Sequence, residues 1–249
     1  AAGALARAAA VGGAAEEAVS TPWEYRLMEI PWQRQIGPSC GLAALRMVRD
    51  YFDAVASEQD AAPPKHMPSL LKEAQDKGYS ADGEVFVAKH LERLAREICG
   101  LRCEMRSFGG TSAADVLGVL AKGGCLIVPY DSHPGTRLPS LNGGRSAHYG
   151  VVVGAMLPGE PGLAADGAEA LPVALHPHTD RAPPADDALL LVVQHSMSQR
   201  LCIASLSEFA ASNAQLRAVD SGRFGEVKLD LIDRLIVCDG LADEAPRGN

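Results

Sequence analysis

The chain has 249 residues, 47% hydrophobic and 22% charged, with 25 Gly, 16 Pro and six Cys, a mixture that excludes collagen-like, disulfide-scaffold and largely disordered classes. Its 23 basic against 31 acidic residues give a formal charge of −8, and without a basic run the phosphate-neutralising attraction behind nucleic-acid binding is missing. One or two domains are expected at this length, able to bury roughly 70–75% of the unfolded surface without a metal or disulfide staple.

Residues 1–22 are Ala-rich, broken by Gly3, Gly12 and Gly13, and lack a consistent apolar face, so they read as a flexible tail. No apolar stretch approaches the roughly 20 residues of a membrane span, and the start lacks the basic end and Leu-rich run of a signal peptide. Cys40, Cys99, Cys103, Cys125, Cys202 and Cys238 are scattered, mostly among apolar neighbours. Reduced thiols in a cytoplasmic protein with no membrane partner are expected. Cys99 and Cys103 have no second pair at zinc-site spacing, so no metal or other cofactor is implied. The sequence opens without Met, as a fragment would.

The folded domain is expected over 23–241, beginning with the alternating Tyr25-Arg26-Leu27-Met28-Glu29-Ile30, which Pro31 ends. From Cys40 to Phe52, Leu42, Leu45, Val48 and Phe52 recur at helical steps. A second helix is expected after the N-cap candidate Ser69, with Leu70, Leu71 and Ala74 inward and Gly78 as its stop. A third spans about Glu84 to Ile98. Leu101 to Met105 alternates like a strand, and Ser112 with Asp115 forms a capping-box pattern ahead of a short helix.

The second half carries short β-rich runs at 125–129, 149–156, 189–193, 201–203 and 235–238. A Pro/Ala/Asp-rich stretch, 158–187, is too long for a hairpin and reads as a surface insertion. Residues 242–249 read as a C-terminal tail. Helices first and strands afterwards predict an α+β fold, with helices packed on an antiparallel sheet.

The chemistry centres on Gln35-Ile36-Gly37-Pro38-Ser39-Cys40-Gly41-Leu42-Ala43-Ala44-Leu45. Cys40 follows a turn and opens a helix, where unpaired N–H groups and the macrodipole favour a thiolate. Gly41 leaves room beside the sulfur for a substrate carbonyl, and Gln35 is a candidate oxyanion donor. A general base is offered by Arg145-Ser146-Ala147-His148-Tyr149-Gly150, where His148 opens an apolar strand. Gly143-Gly144, just ahead of it, suggests a loop able to move over a substrate. His176 and His178 lack spaced metal partners.

Gln-x-x-x-x-Cys-Gly-Leu-x-Ala-Leu followed by Ala-His-Tyr resembles the papain-like cysteine peptidases, and most closely the actin maturation protease family. Gly78-Tyr79-Ser80-Ala81-Asp82-Gly83-Glu84-Val85-Phe86, Val128-Pro129-Tyr130-Asp131 and Ser212-Asn213-Ala214-Gln215-Leu216 extend the resemblance in the same order. It implies a papain-like fold and an aminopeptidase that removes the acetylated first residue of immature actin. Cys40 would carry the acyl group, with His148 as acid and base and Gln35 in the oxyanion hole. Gly41, Asp131 and Tyr149 would contact substrate. The actin N-terminus is acidic, so Arg34, Arg137 and Arg145 are either a basic rim or solvated surface charge. Whether profilin-bound actin is the form presented stays open.

The sequence departs from the family at the residue that orients the base. Papain-like enzymes place Asn or Asp on the next strand, whereas Leu191-Val192-Val193-Gln194-His195-Ser196 puts His195 there. A neutral imidazole can accept a hydrogen bond but supplies no negative charge to an imidazolium. A peptidase or amidase with another peptide substrate, and an inactive relative serving as a binding module, are the alternative readings.

Overall fold

The computed structural model describes residues 23–60, 68–158, 173–174, 185–217 and 229–242. The expected tail over 1–22, most of the 158–187 insertion with His176 and His178, and 243–249 lie outside the described residues.

The helix opening at Cys40 runs on to Asp60 (α1, Cys40–Asp60), and its stripe of Leu42, Leu45, Val48 and Phe52 is buried. Ser39 starts it, its carbonyl accepting from Ala43 N at 2.9 Å. In α2 (Leu70–Asp76), Ser69 caps the first turn through Lys72 N. Leu70 and Ala74 point inward, but Leu71 is exposed, because a seven-residue helix offers only one narrow face. The third helix begins four residues later than its apolar pattern suggested (α3, Ala88–Glu97). Residues ahead of it are held extended: Phe86 O accepts from Asp230 N, and Asp230 O from Ala88 N.

β2 (Leu101–Arg106) and α4 (Ala113–Ala121) follow as expected, and Ser112 with Asp115 makes the full capping box. A fifth helix, α5 (Leu206–Ala214), was missed by the periodicity reading. Its signal was the Ser205-x-x-Glu208 capping box, which the structure forms.

The remaining strands are β1 (Trp23–Leu27), β3 (Cys125–Asp131), β4 (Ala147–Pro158), β5 (Val173–Ala174), β6 (Leu190–His195), β7 (Ser198–Ser205) and β8 (Leu235–Leu241). With β2 they form one sheet in the order β2-β8-β3-β4-β1-β5, with β6 and β7 added on the other side of β4. The class is α+β. All pairings are antiparallel except the two-residue β5, which lies parallel to β1; this short piece of the insertion makes the sheet mixed.

β4 organises the sheet. One edge pairs β3 up to Val152 and then β1 from Gly154 onward; the opposite edge pairs β6 from Gly150 to Met156. Val151, Val152 and Val153 are all buried, so both faces of β4 are covered, which explains the Val-rich run without alternation. The hand-over between β3 and β1 needs Gly154, where a side chain would collide with the backbone of Arg26 and Leu27.

Gly154→Ala should therefore shift the urea midpoint downward, by at least the roughly 1–3 kcal/mol typical of overpacking. An unchanged midpoint would show that β1 can move away at no cost.

Candidate functional site

Cys40 is the first residue of a 21-residue helix, so its sulfur stands at the positive end of the dipole among N–H groups without intrahelical partners. The turn before it is built locally. Gly37 adopts a left-handed φ of 64°, and Ser39 Oγ donates to Ile36 O at 2.8 Å. Gly83 packs directly on Ser39; a Cβ there would stand 2.9 Å from Ser39 Cβ, which gives the Gly83-Glu84 segment a role in seating the helix start. Glu84 closes its own turn by accepting from Ala81 N and Asp82 N, each at 3.1 Å.

Gly41 has a packing role beside the substrate space that its sequence suggested. A methyl on it would lie 3.1 Å from Tyr149 Cδ2 and 3.2 Å from Leu91 Cδ1, so its bareness lets α1 approach β4 and α3. That approach brings the helix start beside the first residues of β4. A cleft of about 300 Å³ results, with Gln35, Cys40, His148 and Tyr149 all in its lining. Tyr149 is buried and its hydroxyl has no hydrogen-bond partner.

His148 is 5% exposed and His195 is 1% exposed. His195 pairs across the strands with Gly150, which places it diagonal to His148, and the two rings meet edge-on with centroids 5.8 Å apart. His148 Nε2 and His195 Nδ1 are both buried without a hydrogen-bond partner. Gly150 makes this possible, because a Cβ there would press on Val193 Cγ1 at 2.5 Å and Tyr130 Cε1 at 3.2 Å. Burial first, then His195 and the Arg137 guanidinium, depress the His148 pKa from its usual 6.5 to about 3. His195 is lowered by the same two causes, burial and Arg137. The His148 imidazole, which lines the same cleft as Cys40, is thus neutral across the physiological range.

Gln35 is tied down by its neighbours across the cleft. Its backbone N donates to Ser196 O at 3.1 Å, Ser196 Oγ donates to its Oε1 at 2.7 Å, and its Nε2 donates to Gly37 O at 2.7 Å. Fixing Oε1 on Ser196 sets which side of the amide bears the hydrogens, and the second hydrogen on Nε2 stays available. Trp32 Nε1 adds a bond to His195 O at 3.1 Å. Ser196 and Trp32 were not singled out from the sequence; the only cue was Ser196 following His195.

Asp131 does not line the cleft. Its side chain is fully buried and its oxygens accept from Asn142, Gly144 and Ser146 N–H groups, so a substrate-contacting role is replaced by one inside the protein. The same bonds, with Gly143 N on Gln215 Oε1 at 2.7 Å, fasten the Gly143-Gly144 loop that the glycines alone suggested was free to move. Arg137 and Arg145 do line the cleft, whereas Arg34 is exposed outside the lining residues.

A family profile described as "Actin maturation protease-like, C-terminal domain" matches residues 30–156, a span that contains Gln35, Cys40 and His148 and ends before His195. The chain is 33% identical over 132 residues to the actin maturation protease of Danio rerio, covering 51% of this chain and 40% of the relative. It is 32% identical over 139 residues to the Homo sapiens protein, covering 54% and 37%, and 28% identical over 237 residues to that of Mus musculus, covering 90% and 63%. The chain thus spans from about two fifths to three fifths of these relatives' lengths. A crystal structure of a putative C39-like peptidase from Bacillus anthracis aligns with a TM-score of 0.48 at 10% identity, over 88% of this chain and all of the other.

The buried imidazoles make stability depend on pH in a stated direction. An unfolded His binds its proton near 6.5, but His148 does so only near 3, so stability is fully present above about 6.5 and falls as pH drops toward 3. His148→Gln should flatten that fall in urea titrations; an equally steep fall in the variant would contradict it.

Proposed function

The chain belongs to the actin maturation protease-like family, and from that premise we propose that it is a cysteine aminopeptidase acting on the acetylated N-terminus of immature actin. The observation that carries the proposal is the shared cleft, lined both by Cys40 at the head of α1 and by the buried His148 from the start of β4.

The chemistry follows from that placement. His148 takes the Cys40 proton as the sulfur attacks the carbonyl carbon of the first residue, and the carbonyl electrons move onto oxygen. The helix N-terminus and the Gln35 amide stabilise this oxyanion. Collapse breaks the C–N bond, and His148 returns the proton to the departing amine of the shortened substrate. Water, deprotonated by His148, then cleaves the thioester, releasing the acetylated amino acid and restoring the thiol. His195 orients His148. Because it brings no negative charge, the imidazolium formed during the step is stabilised less than beside a carboxylate.

Substrate selection is assigned to the open side of the cleft. Arg137 and Arg145 face it, and no carboxylate among the described residues pairs with either side chain. They suit an acidic N-terminal segment. Tyr149 closes the wall behind the sulfur. A cytoplasmic setting agrees with this reading, and no helix among the described residues is long and apolar enough to cross a membrane.

Incubating the protein with a peptide bearing the acetylated actin N-terminus should release one acetylated residue, read by mass spectrometry. Cys40→Ala should release none, and Gln35→Ala should lower kcat by about 10²–10³-fold, the usual cost of an oxyanion donor. Iodoacetamide should label Cys40 well before Cys99 and Cys202, whose thiols burial raises to about 12. Cleavage persisting in Cys40→Ala would reject the nucleophile.

A further inference from the structure

The connection from β3 to β4, residues 132–146, brings Ser132, Arg137, Arg145 and Ser146 to the cleft and delivers the chain to His148. Apolar packing does not set its path, since Leu138 and Leu141 are both exposed. Asp131, the last residue of β3, does. Its Oδ2 accepts from Asn142 N and Gly144 N, both at 2.9 Å, and from Gln215 Nε2 at 3.4 Å. Its Oδ1 accepts from Ser146 N at 3.0 Å.

The backbone of Asp131 continues the same web. Its carbonyl accepts from Ser140 N, Ser140 Oγ and Ser212 Oγ, while its N donates to Ser212 Oγ. Gln215 bridges back to the loop through Ser140 O and Gly143 N. The Ser212-to-Leu216 segment at the end of α5 is therefore built to hold this loop. No cation among the described residues pairs with the carboxylate, so main-chain N–H groups and Gln215 supply the solvation it lost on burial. Ser146 is two residues before His148, and Asp131 itself is the cross-strand partner of Ala147.

We infer that Asp131 is a positioning residue of this site: by collecting the N–H groups of Asn142, Gly144 and Ser146, its carboxylate fixes where β4 begins and so where the His148 imidazole stands relative to Cys40. The inference rests on the peptidase reading only for the role it gives His148. A carboxylate is required because acceptors are needed on both oxygens. An amide in its place turns an NH₂ group against at least one of the inward N–H groups.

Asp131→Asn tests this against Ser112→Ala, a capping variant on α4 far from the cleft in sequence and absent from its lining. The expected result is a kcat lower by on the order of tenfold to a hundredfold, with KM changed little, and moved His148 imidazole resonances by NMR. Ser112→Ala should lose stability yet leave kcat and those resonances at parent values. Should Asp131→Asn fail to fold, Gln215→Ala carries the same signature in weaker form. Unmoved His148 resonances would overturn the inference, as would a rise in KM alone, which would return Asp131 to substrate contact. The NMR reading requires no turnover, so it stands even if the peptide is not cleaved and the peptidase proposal fails.

Discussion

The site depends on β4 being hydrogen-bonded along both edges. From Gly150 to Met156 it has β3 and then β1 on one side and β6 on the other, which locks its register, and a one-residue slip would send His148, two residues ahead on the β3 edge, to the wrong face. Three glycines make this crowding possible. Gly154 admits β1, Gly150 admits Val193 and Tyr130, and Gly41 lets the helix bearing the sulfur lie against Tyr149. Cys40 and His148 come from elements distant in sequence, yet the helix that carries one rests on the strand that carries the other.

Much of this was legible in the residues. The four-step stripe of α1, the capping box of α4 and the Val-rich run of β4 each follow from a local rule, and the structure forms each of them. Cys40 at a helix start and His148 at a strand start could be read because each is defined by its immediate neighbours. The roles of Gly41 and Asp131 could not. Gly41 is bare because of Tyr149 and Leu91, and Asp131 is charged because of N–H groups more than ten residues away; neither fact has a local signature. The late start of α3 has the same origin, since Asp230, far along the chain, bonds Phe86 O and Ala88 N and so holds Val87 extended.

The pairing of two imidazoles sets the electrostatic character of the cleft. A carboxylate at the position of His195 would raise the proton affinity of His148, whereas here His195 and Arg137 both lower it. The ring at rest is then uncharged, and it takes up a proton only during the reaction. Burial that would strand an ion pair without solvent is compatible with such a resting state. Of the charged side chains lining the cleft, Arg137 and Arg145 are positive and Glu84 negative, an excess of positive charge that would favour an acidic group beside it.

Residues 32–35 are stitched to the tip of the β6–β7 hairpin at three points: Trp32 Nε1 on His195 O, the Gln35 main chain on Ser196 O, and the Gln35 side chain on Ser196 Oγ. The Gln35 amide and the His195 ring consequently belong to one mechanical unit. On the proposed reading, displacing that hairpin would disturb both groups together rather than one at a time.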